Sequence, residues 1–285
     1  MTTLQDYTTP YFPNFCPGCG NISIWAAFKQ AAVKANWSIE NTVICAGIGC
    51  HGHMLNFVKL NTFTSLHGRG LPLATGIKMA NHNLNVFVFT GDGDCLAEGG
   101  NHFIHTCRRN HNLTIILHDN AVYGLTTGQT SPASPHGFVS KSTPEGNKDE
   151  PLYPPVMALA AGATFVARAY SGHMPQLVDI LIKANDHQGI SLVDVLQPCV
   201  TFNKNYTHEF FQQNTYYVDE TYDKTDKLQA IQKALQWGEK QIALGVLYQI
   251  EKPSYEAQLP QLSKSPLVAK QPEKRDINNL LKKYM

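Results

Sequence analysis

Two groups of residues in this sequence combine side-chain types and spacing that chemistry needs. The first is Gly91-Asp92-Gly93-Asp94, which follows a short apolar run and precedes a segment of helical length. Its glycines let backbone approach a ligand closely, and the helix start beyond them can receive a diphosphate. The end of the next apolar run carries Asn120, which stands beside Asp92 if the two runs are neighbouring strands. Both side chains offer hard oxygen. With the backbone carbonyl of Val122, two phosphate oxygens and a water, they would complete the octahedral set that magnesium prefers. An isolated Gly-Asp-Gly is more often a plain turn and a lone Asn more often a cap, but the spacing and strand context favour ligands here.

The second group is built on cysteine. Cys16-Pro17-Gly18-Cys19 fits half a zinc site, a redox pair or half an iron–sulfur site. A zinc ribbon needs a second such pair, and a thioredoxin-like motif needs its pair at a strand-to-helix turn; the sequence offers neither. Cys50 and Cys199 instead stand alone, each shortly after a predicted buried strand. Cys16, Cys19, Cys50 and Cys199 can therefore meet at one sheet edge and satisfy the four-cysteine ligation of a [4Fe-4S] cluster, although spacing alone leaves the alternatives open. Cys45, Cys95 and Cys107 fall inside predicted elements and read as core residues. The twelve histidines are scattered and form no His-x-x-x-His pair.

These groups need a scaffold. Helical spacing runs from Ser23 to Ala35 behind a Ser cap, and buried strands are predicted at Thr42 to Ala46, Val86 to Thr90, Leu113 to His118, Thr164 to Ala167 and Ser191 to Leu196. Helix-length segments separate the strands, so the fold class is α/β, a mostly parallel sheet with helices on both faces. Ligands belong at the carboxyl ends of such strands. Ala121 to Pro155 reads as a long functional loop, and Lys224 to Gly238 as a helix. The expected division is a ligand-binding domain over 1–200 and a C-terminal extension over 201–285 that packs on the domain or on a partner.

Composition excludes several functions. With 23 basic and 22 acidic residues in 285, the chain has no counterion-releasing surface for nucleic acid and no polybasic membrane patch. Its longest apolar stretch, Val156 to Ala167, is too short to span a bilayer. The amino terminus shows no secretory pattern, and seven cysteines in a reducing compartment suit metal ligation better than disulfides. A cytoplasmic protein is expected.

Taken together, Phe15-Cys16-Pro17-Gly18-Cys19-Gly20, Gly47-Ile48-Gly49-Cys50, Leu66-His67-Gly68-Arg69-Gly70, Gly91-Asp92-Gly93-Asp94 and Asn120 to Thr126 carry a specific likeness. The Gly-Asp-Gly and Asn pair resembles the thiamine diphosphate signature, and the whole set resembles beta subunits of 2-oxoacid:ferredoxin oxidoreductases over about residues 10 to 250. The resemblance implies a thiamine diphosphate-binding (diphosphate-type) domain holding thiamine diphosphate, Mg2+ and a [4Fe-4S] cluster. Cys16, Cys19, Cys50 and Cys199 are then the cluster ligands, and Asp92, Asn120 and the Val122 carbonyl the magnesium ligands. Ile48, Gly49, Cys50, His51, His67, Gly93, Asp94, Gly124 and Leu125 are the positions expected to touch the cofactor, with His67 and Arg69 facing diphosphate or substrate. An alpha subunit supplies the carboxylate that promotes ylide formation, so Glu98 reads as a packing or surface residue. Ferredoxin or flavodoxin accepts the electrons and coenzyme A the acyl group.

Among 2-oxoacids, 2-oxoglutarate is favoured because Thr127-Gly128-Gln129 and Ser142 to Asn147 resemble that branch; pyruvate and branched-chain substrates remain alternatives. His53 is a candidate contact to a distal carboxylate, with a helix-capping role as its plain alternative. Gly47-Ile48-Gly49-Cys50-His51-Gly52 formally fits a dinucleotide fingerprint, yet no Asp or Glu lies between Glu40 and Asp92 to bind ribose. A noncatalytic iron–sulfur subunit would not need Asp92 and Asn120, and a cluster-free decarboxylase would not need the four cysteines.

Overall fold

A computed structural model of the chain describes residues 2–238, 241–270 and 277–285. Strands β1 (Thr42–Ala46), β2 (Asn61–Thr64), β3 (Asn85–Gly91), β4 (Thr114–Asp119), β5 (Phe165–Tyr170), β6 (Ser191–Leu196), β7 (Thr215–Tyr217) and β8 (Ile242–Gln249) form one sheet in the order β2-β1-β3-β4-β6-β5-β8-β7. All pairings are parallel except β5 with β8. Every residue of β1, β4, β5 and β6 is buried, as strands covered on both faces must be.

The coverage follows the period-two alternation of the strands. Ile44, Phe87, Phe89, Ile116 and Val193 face helices α1 (Gly20–Lys34) and α5 (Met174–Asp186). Val43, Val88, Ile115, Leu117 and Leu192 face α2 (Gly70–Ala80), α3 (Gly100–Arg109) and α4 (Pro154–Ala161). The expected α/β class, with helices on both faces, is what the structure has.

Boundaries differ in instructive places. Helix α1 begins at Gly20 with Cys19 at its N-cap, not at a Ser23 cap, because the Cys16 to Cys19 turn closes on itself and runs straight into the helix through Ile22 N–H to Cys19 O at 3.1 Å. The segment after Gly91-Asp92 is a wide π-type turn, Gly93–Glu98, that gives way to α3 at Gly100. The helix expected at Lys224 to Gly238 is shorter, α6 (His208–Asn214) preceding it and α7 spanning Lys227–Leu235 behind an Asp226 cap. Strands β2 and β7 carry no alternating or bounded apolar signal of their own, and the apolar run of β8 is broken by Gly245. Past residue 200, β7 and β8 hydrogen-bond into the same sheet as the first six strands.

Four adjacent strands, β1, β3, β4 and β6, release their carboxyl ends at one edge, which brings the loops at 47–52, 91–94, 120–126 and 197–199 together. At the other end of the sheet, the segment after β8 is tied down. Asn110, in a left-handed conformation at φ 56°, donates its amide to the Lys252 and Pro253 carbonyls. Glu256 accepts from the Asn112 N–H at 3.1 Å and meets His111 Nδ1 at 2.6 Å.

Burial alone would raise the Glu256 carboxyl, but the His111 contact and the backbone donors hold it below the ordinary value of 4.5. A depressed carboxylate stabilises the fold fully above its unfolded value, and that contribution is lost as pH falls through the folded one. Amide protection over 250–259 is therefore expected to fall below about pH 4.5 before that of β4 and β6, and Glu256→Gln to flatten the dependence. Hydrogen exchange across an acid series measures both; protection that persists until global unfolding contradicts the assignment.

Candidate functional site

Asp94 fastens the site. It is 3% exposed, and its carboxylate oxygens meet donors from three separate segments. Oδ1 accepts from Ile48 N–H at 3.0 Å and Gly68 N–H at 2.7 Å, and lies 2.7 Å from His67 Nδ1. Oδ2 accepts from Thr90 Oγ1 at 2.7 Å, with His51 Nε2 at 3.4 Å as an electrostatic contact too poorly aimed for a full bond. Burial would raise this carboxyl, but the His51, Thr90 and Gly68 interactions outweigh it and hold the group well below the usual carboxylate range. Two glycines make the convergence sterically possible. A Cβ on Gly47 would stand 2.0 Å from Asp94 Oδ2, and Gly68, at φ +70°, is pressed against the Glu98 backbone, where a Cβ would meet a carbonyl carbon at 2.3 Å.

Asp92 lies beside this knot, 1% exposed, accepting from Ser131 Oγ. Burial pushes its carboxyl up to about 7, offset in part by Ser131 and by backbone N–H groups at 92, 93 and 120. A divalent cation would reverse that burial cost, so the group suits the role. Asn120 ends the next strand, and Ala121 follows at φ 55°, a strained value for a residue with a Cβ. Ser134 Oγ holds the Ala121 carbonyl at 2.6 Å, and the Val122 N–H donates to Asn120 Oδ1 at 3.1 Å. The turn sets Asp92, Asn120 and Val122 around one cavity of about 90 Å³.

A second cavity of about 230 Å³ adjoins it, and Cys16, Cys19, Cys50 and Cys199 all line it. Burial, joined by the repulsion of the neighbouring sulfurs, pushes the Cys19 thiol up to about 12 and Cys50 up to about 11. Such thiols are poor nucleophiles and unlike a poised redox pair. Among the described residues, no three His, Cys, Asp or Glu side chains close on a point as a single metal ion requires. Four thiols spread around a larger void fit a polynuclear cluster, whose cationic core supplies what the thiolates need. Cys50, Asn120, Gly124, Leu125 and Gln197 belong to both cavities. At Gly124 the backbone faces sulfur, since a Cβ there would sit 3.5 Å from Cys199 Sγ and 3.7 Å from Cys50 Sγ.

Ile48, Gly49, Cys50, His51, His67, Gly93, Asp94, Gly124 and Leu125 all line the first cavity. Asp94 does so with both oxygens already engaged by the protein. Arg69 lines neither cavity; its guanidinium donates to the carbonyls of Gly68 and Glu98 and steadies the loop from behind. His53 lines the cysteine cavity, not the first one. Sequence reasoning missed Ser131, Gln197 and the buried pair in which His118 Nδ1 lies 2.7 Å from Asn21 Oδ1. All are common polar types far apart in the chain, and nothing local marks them. Glu98 receives the Tyr123 hydroxyl at 3.2 Å on each oxygen and packs at the rim.

Residues 47–195 match the thiamine pyrophosphate enzyme, C-terminal TPP binding domain, and residues 199–264 match the C-terminal family of the pyruvate ferredoxin oxidoreductase beta subunit. The chain is 41% identical over 274 residues to 2-oxoacid:ferredoxin oxidoreductase 1, subunit beta, of Aeropyrum pernix, covering 92% of this chain and 86% of that one. It is 42% identical over 191 residues to a 2-oxoglutarate synthase subunit of Archaeoglobus fulgidus, covering 67% and 71%. The 2-oxoglutarate:ferredoxin oxidoreductase from Magnetococcus marinus, solved with 2-oxoglutarate, coenzyme A and succinyl-CoA bound, superposes with a TM-score of 0.91 at 31% identity, covering 100% of this chain and 96% of that one.

The Asp94 knot generates its own test. Asp94→Asn keeps the shape but removes the charge that its donors serve, and hydrogen bonds to a charged group are worth about 1.5–3 kcal/mol. Amide exchange at 47–52 and 66–69 is expected to rise by about tenfold or more while β4 and β6 stay protected. Unchanged exchange in those two loops would show that Asp94 does not hold them.

Proposed function

The chain belongs to the family of 2-oxoacid:ferredoxin oxidoreductase beta subunits, and from that premise we propose that it is the thiamine diphosphate- and cluster-carrying half of an enzyme that converts a 2-oxoacid and coenzyme A to acyl-CoA and carbon dioxide. Two electrons leave through a [4Fe-4S] cluster to ferredoxin or a flavodoxin. 2-Oxoglutarate is the favoured substrate, because relatives named for it and the bound 2-oxoglutarate of the Magnetococcus marinus enzyme accompany the likeness. The observation that carries the reading is the wall shared by the two cavities, with hard oxygen ligands on one side and four thiols on the other.

When bound, thiamine diphosphate supplies a nucleophilic carbon and an electron sink for decarboxylation, and the cluster carries electrons off singly. Asp92, Asn120 and the Val122 carbonyl would hold Mg2+ and through it the diphosphate, at the helical turn that starts with Gly93. Asp94 fixes His67 by binding its Nδ1, which leaves Nε2 for a ligand in the cavity. Ile48 and Leu125, exposed at 39% and 47%, give that cavity an apolar rim. Cys16, Cys19, Cys50 and Cys199 would ligate the cluster, and the Cys50 loop would touch both groups, keeping the electron path short. None of the described carboxylates at the cavity is free to serve the aminopyrimidine, since Asp92 and Asp94 are engaged and Glu98 is held by Tyr123. The site is completed by an alpha partner. Among the described residues no helix is long and apolar enough to cross a membrane. The cytoplasmic location we assign rests instead on the four thiols, which need a reducing compartment to stay available to iron.

Anaerobic co-purification with the alpha subunit is expected to give about four iron and one thiamine diphosphate per beta chain. Cys199→Ser should lose iron and keep thiamine, and Asp92→Ala the reverse; thiamine without iron in the unaltered complex would instead indicate a nonredox decarboxylase. The proposed contact of His53 to the distal carboxylate makes a separate claim. His53→Ala should raise KM for 2-oxoglutarate and leave that for pyruvate alone, and equal changes for both acids would remove His53 from substrate recognition.

A further inference from the structure

Gln197 belongs to both cavities and to neither motif. It leaves the carboxyl end of β6, is 1% exposed, and donates its backbone N–H to the Asp119 carbonyl at 2.8 Å. Its side chain spans the wall. Nε2 lies 3.3 Å from Cys19 Sγ and 3.4 Å from the Pro198 carbonyl, and Oε1 accepts from Asn120 Nδ2 at 3.2 Å. The partners dictate this orientation of the amide. Asn120 Nδ2 can only donate, the Pro198 carbonyl can only accept, and a flipped Gln197 would leave two buried NH2 groups facing each other. Asn120 is oriented in turn, because its Oδ1 already accepts from the Val122 N–H. The result is one directional chain of donors, from the Val122 amide through Asn120 and Gln197 to the Cys19 sulfur.

We propose that Gln197 is a positioning residue with two tasks: it holds Asn120 so that its oxygen serves the metal, and it donates a hydrogen bond to Cys19 sulfur that raises the reduction potential of the cluster bound there. This rests on the cofactor reading above. The first task follows from geometry, since without an acceptor at Oε1 only the Val122 N–H resists a turn of the Asn120 NH2 toward the metal, and outer partners of metal ligands typically govern affinity by about 10–100-fold. The second follows from charge. A reduced cluster carries one more electron than the oxidised one, and an N–H aimed at a ligand sulfur stabilises the more negative state. The neighbouring cavity releases electrons, so a raised potential makes the cluster the better acceptor for them. The same amide thereby links the occupancy of one cavity to the redox poise of the other.

Two substitutions separate the tasks. Gln197→Met removes both bonds with little change in volume or charge, whereas Gln197→Glu keeps an acceptor for Asn120 Nδ2 and loses the N–H to sulfur. Each variant is purified anaerobically with the alpha subunit, its iron is counted, its cluster is titrated by electron paramagnetic resonance, and its affinity for magnesium thiamine diphosphate is measured after cofactor removal. The expected result is a more negative potential in both variants, with cofactor affinity about tenfold weaker in Gln197→Met and within about twofold of the unaltered protein in Gln197→Glu. Iron at the unaltered level with an unchanged potential in both variants would overturn the inference, and so would loss of iron from both, because the bond is held to tune the cluster and not to retain it. An unaltered complex that contains no iron would sink the cofactor reading itself, an outcome distinct from either.

Discussion

The site depends on one constraint: a buried carboxylate must find donors. Asp94 is placed in the interior by the turn after β3, and burial of an uncompensated charge costs several kcal/mol. Its donors come from the loop after β1, the loop after β2 and the strand before it. Whatever folds the turn after β3 correctly therefore also draws in the two other loops. The glycines at 47 and 68 are required by this convergence more than by any local turn preference, because a side chain at either would strike the carboxylate or the backbone beside it. His67 is oriented by the same group.

The sheet makes that local convergence useful. In parallel order the carboxyl ends of β1, β3, β4 and β6 share one edge, so side chains separated by more than 100 positions in sequence reach neighbouring cavities without long detours. Cys199 arrives from β6, Cys50 from β1, and Cys16 and Cys19 from the amino-terminal side of α1. Because α1 starts directly at the Cys-x-x-Cys turn, its two thiols are set by a rigid helix that packs on α5 and the sheet. The strained Ala121 position has a comparable use. It turns the chain sharply after Asn120, so Val122 and Gly124 face the two cavities within five residues.

Much of this was legible in the sequence, for chemical reasons. Metal and cluster ligands must be particular side chains, so the proposed ones stand out, Cys16 and Cys19 by their paired spacing and Cys50, Cys199, Asp92 and Asn120 by their place after apolar runs. The same runs revealed the buried strands, because a strand covered on both faces has no polar alternation to disguise it. The exposed edge strand β2, Asn-Thr-Phe-Thr, has no such run, and β8 is interrupted by Gly245 at φ +122° and by a shift of register against β5. Asp94 was legible as a carboxylate at the site, but two of its partners are backbone amides, which no sequence displays. His53 follows Cys50 by three residues, and the 3-10 turn Cys50–Asn56 sets it on the wall of the cavity that the four thiols line, a placement its sequence position does not reveal.

On the proposed function, the two cavities would also explain why one chain of the pair carries both groups. Electron transfer rewards proximity of the two groups, and a wall built from Cys50, Gly124 and Gln197 is one backbone or one amide thick. Splitting those residues between subunits would make their spacing depend on an interface. On the proposed function, substrate entry and the carboxylate that serves the aminopyrimidine would have no such requirement, and could come from a partner at the apolar rim of Ile48 and Leu125. On that reading, the residues that must be held most closely together lie on one chain, at the ends of adjacent strands and at the start of α1, and what would be left to a second chain is the part of the site with no such demand on spacing.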